Sequence, residues 1–152
     1  MLKLNRRAMI ALAAAATAAI SPALAQETTT ATTAGVPGDF SLGSPDAPVK
    51  IVEYASFTCP HCANFHETVF KTLKTDYIDT GKVQFTLREV YFDRYGLWAA
   101  MVARCGGDMR YFGIHDMLFS QQQDWAASQD PTEVVGKLKT IGLTAGLDQA
   151  AL

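Results

Sequence analysis

The chain has 152 residues, 49% of them hydrophobic, with 13 Lys and Arg against 15 Asp and Glu and a formal net charge of −2. That length suits one domain, and the lack of a basic patch with interleaved aromatics argues against a nucleic-acid partner. Three cysteines in such a chain exclude a disulfide-stapled mini-protein.

At the N-terminus, Lys3, Arg6 and Arg7 precede an apolar run from Ala8 to Ile20, and Ala23-Leu24-Ala25 reads as a small-residue cleavage site. Residues 1–25 are therefore expected to be a secretory signal peptide, since the run is shorter than the roughly 20 residues of a membrane-spanning helix. Asn5-Arg6-Arg7 hints at twin-arginine export, but its flanks match poorly, and the general route is expected. Loss of the three basic residues would leave ten Lys and Arg against fifteen Asp and Glu, an acidic exported chain. Residues 26–37 are Thr/Ala-rich without apolar period and read as a disordered leader.

Asp39 to Leu42 reads as a short edge strand, and the breaker-dense Gly43-Ser44-Pro45-Asp46-Ala47-Pro48 as a turn. Val49 to Ala55 is predicted to be a strand buried on both faces, because Ile51 and Val52 are both apolar. A helix is predicted over Ala63–Tyr77, with an apolar stripe of Cys62, Phe65, Val69, Leu73 and Tyr77, ended by Thr80-Gly81. Lys82 to Val90 alternates as a second strand, and the βαβ connection predicts that the two strands are parallel. Helices follow over Tyr95–Cys105 and Met109–Gln122, parted by Gly106-Gly107. Another spans Pro131–Ile141 with Asp130 as its N-cap, and one more starts at Leu147.

Cys59-Pro60-His61-Cys62 carries the chemistry. The attacking and leaving species in disulfide exchange is a thiolate. Cys59 sits where the first helical turn begins, facing free backbone N–H groups and the positive end of the helix dipole. Pro60 fits the first helical position, and His61 can add a charge or a donor. Cys59 is thus expected to be the exposed, attacked sulfur with a lowered pKa. Cys62, a turn further in, is expected to be buried, higher in pKa and resolving. A good leaving thiolate at Cys59 makes the disulfide a strong oxidant. Glu53 is an acid in an apolar strand six residues earlier. Facing the helix, it would lie beneath the cysteines with a raised pKa and shuttle the Cys62 proton; pointing to a solvated edge, it would not.

Val49 to His66, centred on Ser56-Phe57-Thr58-Cys59-Pro60-His61-Cys62, closely resembles the bacterial periplasmic thiol:disulfide oxidoreductases of the DsbA type. Gly43 to Pro48 also looks like that family, and Arg104-Cys105-Gly106-Gly107-Asp108 to Phe119 resembles its helical insertion. The Pro-His dipeptide is the specific part, since a bare Cys-x-x-Cys is common. The resemblance runs from Asp39 to the end. It implies an α/β, thioredoxin-like fold, with residues 38–92 as its N-terminal βαβ part and 93–152 as an incomplete helical insertion. It also implies a periplasmic protein that oxidises reduced exported polypeptides and is reoxidised by a quinone-linked membrane oxidase. No cofactor is implied beyond the redox-active disulfide Cys59–Cys62. Glu53 falls at the position of the family's buried strand acid. The family's final strands and cis-proline loop have no counterpart in this sequence, where Pro131 follows Asp130 and starts a helix. The chain is accordingly expected to be truncated, with the Val49–Ala55 strand bare on one side. Cys105 is then either the half of a second cysteine pair or a buried free thiol.

Rival readings are weaker. A metal site of Cys59, Cys62 and His66, with His115 or Cys105, lacks a second paired ligand set. Haem attachment needs a His where Ala63 stands. His66 is otherwise expected to be exposed or half-buried, and His115 to have an ordinary partner. Tyr91, Phe92, Tyr95, Trp98, Tyr111 and Phe112 are expected to be helical core, with a peptide-binding groove as the alternative for some of them. Isomerase or reductase activity, or a non-catalytic fragment that binds unfolded polypeptides, complete the alternatives.

Overall fold

The computed structural model describes residues 38–152; the expected signal peptide (1–25) and leader (26–37) lie outside the described residues. Three strands, β1 (Phe40–Leu42), β2 (Val49–Ala55) and β3 (Val83–Glu89), form a sheet in the order β1-β3-β2. β2 and β3 are parallel, with Ile51 opposite Phe85 and Glu53 opposite Leu87. β1 is antiparallel to β3, with Phe40 opposite Leu87. The parallel βαβ unit and the edge strand follow the sequence reading.

Pleat alternation puts Phe40, Leu42, Ile51, Glu53, Val83, Phe85 and Leu87 on one face of the sheet. Helices cover that face. Phe85 packs against Phe70 and Phe112 at 4.9 and 6.4 Å between ring centroids, and Phe40 stacks on Tyr111 at 4.1 Å. The opposite face carries Lys50, Tyr54, Gln84, Thr86 and Arg88, and Tyr54 is 61% exposed. β2 is thus packed on one face among the described residues, not on two as its Ile51-Val52 pair suggested. The turn before β2 depends on Gly43, whose φ of +87° suits glycine and where a Cβ would meet the Val83 carbonyl at 2.4 Å.

The helix after β2 runs as α1 (Pro60–Phe65), a π-helical turn (His66–Phe70), α2 (Lys71–Leu73) and a second π-helical turn (Lys74–Ile78). The two wide turns advance the buried stripe by about one residue relative to a regular helix. Its buried residues are His66, Phe70 and Ile78, whereas Val69 and Tyr77 are 48% and 47% exposed. The predicted stripe through Val69 and Tyr77 is therefore out of phase, although Phe65 and Leu73 still pack against the core.

α3 (Arg94–Cys105), α4 (Gly107–Ser120), α5 (Gln122–Trp125) and α6 (Pro131–Thr144) follow. Asp93 caps α3 by accepting the Gly96 N–H at 2.9 Å, and Asp130 caps α6 through the Thr132 N–H at 2.9 Å. The inner face of α3 is Gly96, Ala99, Ala100 and Ala103, a small-residue stripe that lets the helix approach closely. One contiguous core joins Phe85 and Leu87 of the sheet to Ile114, Leu118, Trp125, Val134 and Leu138 of the helices.

A Cβ on Gly96 would lie 2.9 Å from Ser56 Oγ and 3.2 Å from Thr58 Oγ1. Gly96→Ala is expected to destabilise the fold by about 1–3 kcal/mol through overpacking at this contact, read as a lower urea midpoint.

Candidate active site

β2 ends at Ala55, and Ser56-Phe57-Thr58 turns the chain into α1. The Cys59 N–H donates to the Ser56 carbonyl at 3.0 Å, closing that turn. Thr58 donates its hydroxyl to Asp93 Oδ2 at 2.6 Å, which ties the turn to the start of α3. Cys59 is the N-cap of α1, with extended backbone at φ −81° and ψ 115°, and its Sγ accepts the Cys62 N–H at 3.4 Å. Pro60 occupies the first helical turn, where its missing N–H costs nothing.

Cys59, Cys62 and Cys105 are unpaired in this structure. Partial burial pushes the Cys59 thiol up, but hydrogen bonds from the Cys62 thiol and from the backbone N–H groups of Cys62 and His61 outweigh it, so its pKa lies below that of an ordinary cysteine. Burial, then the hydrogen bond to Cys59, pushes Cys62 up to about 11. Both cysteines are of intermediate exposure, so exposed against buried does not separate them. Burial raises both, and beyond it Cys59 accepts the Cys62 thiol and two backbone N–H groups, which bring it down, whereas giving its proton to Cys59 raises Cys62 further. Cys62 also packs against the hydrophobic core.

Glu53 lies on the covered face of the sheet, and burial raises its pKa from 4.5 to about 7. Its negative charge in turn raises both cysteines. Pro60 and His61 are exposed. His61 reaches Cys59 through its backbone N–H. The structure thus brings Glu53, Cys59, Pro60, His61 and Cys62 to one end of β2.

The other candidates sit elsewhere. His66 is 2% exposed, not on the surface, and its Nε2 bonds Asp116 Oδ1 at 2.8 Å. His115 has no ordinary partner: it is 1% exposed, neither ring nitrogen is hydrogen-bonded, and burial, with the neighbouring His66, drives its pKa down to about 3. Among the described residues no three His, Cys, Asp or Glu side chains converge as metal ligands, so the set of Cys59, Cys62, His66 and His115 or Cys105 is not assembled. Cys105 is exposed, not buried, and donates its thiol to the Ala151 carbonyl at 3.3 Å. The aromatic stretch divides. Tyr111 is fully buried and Phe112, Tyr95 and Trp98 pack against the core, but Tyr91 and Phe92 are 50% and 71% exposed.

Sequence reasoning missed the side chains that grip the motif loop from the helices. Asp93 holds Thr58, and Gln122, 3% exposed, donates to the carbonyls of Phe57 and Cys59 at 2.8 and 2.9 Å. Only the capping pattern of Asp93 left a trace in the sequence. Gln122 left none.

A parallel βαβ unit whose helix is capped by Cys59 and carries Cys62 in its first turn, followed by helices α3 to α6, is the architecture of a thioredoxin-like protein with a helical insertion. A family profile described as Thioredoxin matches residues 35–151. The chain belongs to the thioredoxin family, and its structural neighbours are DsbA-type proteins. The crystal structure of alpha-DsbA1 from Wolbachia pipientis superposes with a TM-score of 0.71 and 36% identity, covering 77% of this chain and 58% of that one. BdbD from Bacillus subtilis in its oxidised form gives 0.63 and 26%, covering 73% and 60%. A Rickettsia bellii protein named "Putative protein-disulfide oxidoreductase" is 40% identical over 105 residues, 68% of this chain and 40% of the relative. The chain thus spans about 40% of the length of such curated relatives.

Glu53 makes the fold pH-sensitive. Below pH 4.5 its carboxyl is protonated folded and unfolded alike, and above about pH 7 it is ionised in both. Between the two, the unfolded chain alone releases the proton, so rising pH favours unfolding. Urea unfolding across that interval is expected to show stability falling with pH in the wild type, and this component absent in Glu53→Gln.

Proposed function

We propose that the protein is a periplasmic thiol:disulfide oxidoreductase, exported by residues 1–25, which donates the Cys59–Cys62 disulfide to reduced exported polypeptides. The observation that carries this reading is the unequal pair: a thiol lowered by three hydrogen bonds beside one raised to about 11. In the oxidised protein, a substrate thiolate attacks Cys59 Sγ. The Cys59–Cys62 bond breaks, its electron pair leaves on Cys62 Sγ, and that thiolate takes up a proton. Glu53, on the covered face and near neutrality in pKa, is suited to supply it. A second substrate thiolate then attacks the substrate sulfur of the mixed disulfide. Cys59 leaves as a thiolate held by the N–H groups of His61 and Cys62. The substrate is oxidised by two electrons and the protein reduced to its dithiol. A quinone-linked membrane oxidase would accept those electrons and restore the disulfide. The structural similarity to alpha-DsbA1 and BdbD supports the reading.

Equilibration of the chain in glutathione buffers, followed by thiol alkylation and mass analysis, tests it. The Cys59–Cys62 couple is expected on the oxidising side of glutathione; a couple no more oxidising than an unstructured dithiol would refute the proposal. Cys62→Ala is expected to accumulate a mixed disulfide on Cys59, Cys59→Ala to form none, and Cys105→Ala to exchange like the wild type. Replacing the His61 ring in His61→Leu is expected to shift the equilibrium about tenfold towards the disulfide, making it a weaker oxidant.

A further inference from the structure

The carbonyl groups of Phe57 and Cys59 flank the one-residue step between the β2–α1 turn and the helix. Both point at the side chain of Gln122, at the start of α5 and more than 60 residues away in sequence. The two hydrogens of one amide nitrogen are shared between them. The Cys59 carbonyl also accepts the Ala63 N–H at 3.1 Å, the first hydrogen bond of the helix. Phe57 is 1% exposed, and Gln122 is the partner that its carbonyl has in this part of the structure. The Cys59–Pro60 peptide carries no N–H, and the Thr58 N–H, on the peptide of the Phe57 carbonyl, points to Ser56 Oγ at 3.4 Å. The two bonds from Gln122 therefore fix where Cys59 itself sits at the head of α1, with its sulfur 3.4 Å from the Cys62 N–H. The Asp93–Thr58 bond holds the same turn from α3. Trp125, on the same short helix, makes a separate buried hydrogen bond, its Nε1 donating to the Leu118 carbonyl at 2.7 Å.

We propose that Gln122 is a positioning residue for Cys59, holding from the helical insertion the backbone on either side of it so that the attacked sulfur stays at the N–H end of α1. It touches neither sulfur and acts through the two carbonyls. Removal of its amide leaves the buried Phe57 carbonyl without a donor, and the turn relieves that by moving Cys59 relative to the His61 and Cys62 N–H groups of α1. The inference rests on the reading of Cys59 as the exchanging thiol.

The test is the pH profile of Cys59 in the reduced full chain, followed by thiolate absorbance and by alkylation rate, in wild type, Gln122→Met and Trp125→Phe. Gln122→Met keeps the volume and removes the donors. Trp125→Phe removes a buried hydrogen bond in the same helix without touching the turn. Gln122→Met is expected to shift the Cys59 thiolate equilibrium about tenfold towards the thiol, the scale of one lost charge-assisted bond, and Trp125→Phe to lower thermal stability with Cys59 unmoved. Gln122→His, which keeps one N–H donor, gives a smaller shift of the same sign and replaces the Met variant if that one does not fold. An unmoved Cys59 in the Gln122 variants, with a lowered wild-type profile, overturns the inference and leaves the proposed function standing. Equal shifts in Gln122→Met and Trp125→Phe also overturn it, because general loosening would then account for both. A wild-type Cys59 that titrates like an ordinary cysteine overturns the proposed function and this inference together.

Discussion

The chemistry of this protein depends on how abruptly strand becomes helix between Ala55 and Pro60. Four residues turn the chain, and Cys59 ends as a helix N-cap whose side chain is sulfur where serine or aspartate is usual. A capping oxygen satisfies N–H groups for stability. A capping sulfur uses the same N–H groups to hold a negative charge. Cys62, one turn on, donates its own proton into the same arrangement and rises as Cys59 falls. Two identical side chains, three residues apart, are made chemically unlike by burial and by the direction of the hydrogen bond between them.

That turn cannot hold itself. Ser56 and Phe57 are buried beneath it, and α3 reaches it only because Gly96 has no side chain. Asp93 does two things at once: one carboxylate oxygen caps α3 and the other accepts the Thr58 hydroxyl. Burial raises its pKa, but the Thr58 hydroxyl and the Gly96 and Tyr95 N–H groups bring it below the usual carboxylate range, so it stays ionised in both roles. The helical insertion is thereby part of the site's frame, although it contributes neither of the cysteines.

Behind the motif, His66 and His115 meet edge to face at 4.7 Å within a nest of Phe57, Phe70, Phe112 and Phe119. His115 behaves there as an aromatic side chain. Burial keeps it neutral, and its ring fills space between phenylalanines at the cost of two unbonded nitrogens. His66 is better served, reaching out of the same nest to Asp116 on α4. The pair packs the motif helix onto the insertion.

The amino-acid sequence by itself determined the local features. Alternation gave the strands, Asp130 stood where a helix begins, and Cys59-Pro60 marked the start of the motif helix, because each of these rests on interactions within a few residues. The stripe of the motif helix was misjudged by one residue, since π-helical turns arise from packing and leave the apolar spacing unchanged in the sequence. β2 was judged doubly buried from its composition, but which face is covered depends on where the helices lie. His66, His115, Cys105 and Gln122 were beyond reach for the same reason. A polar residue's burial and partners are set by segments distant along the chain, and only the folded structure brings Gln122 to the carbonyl of Cys59.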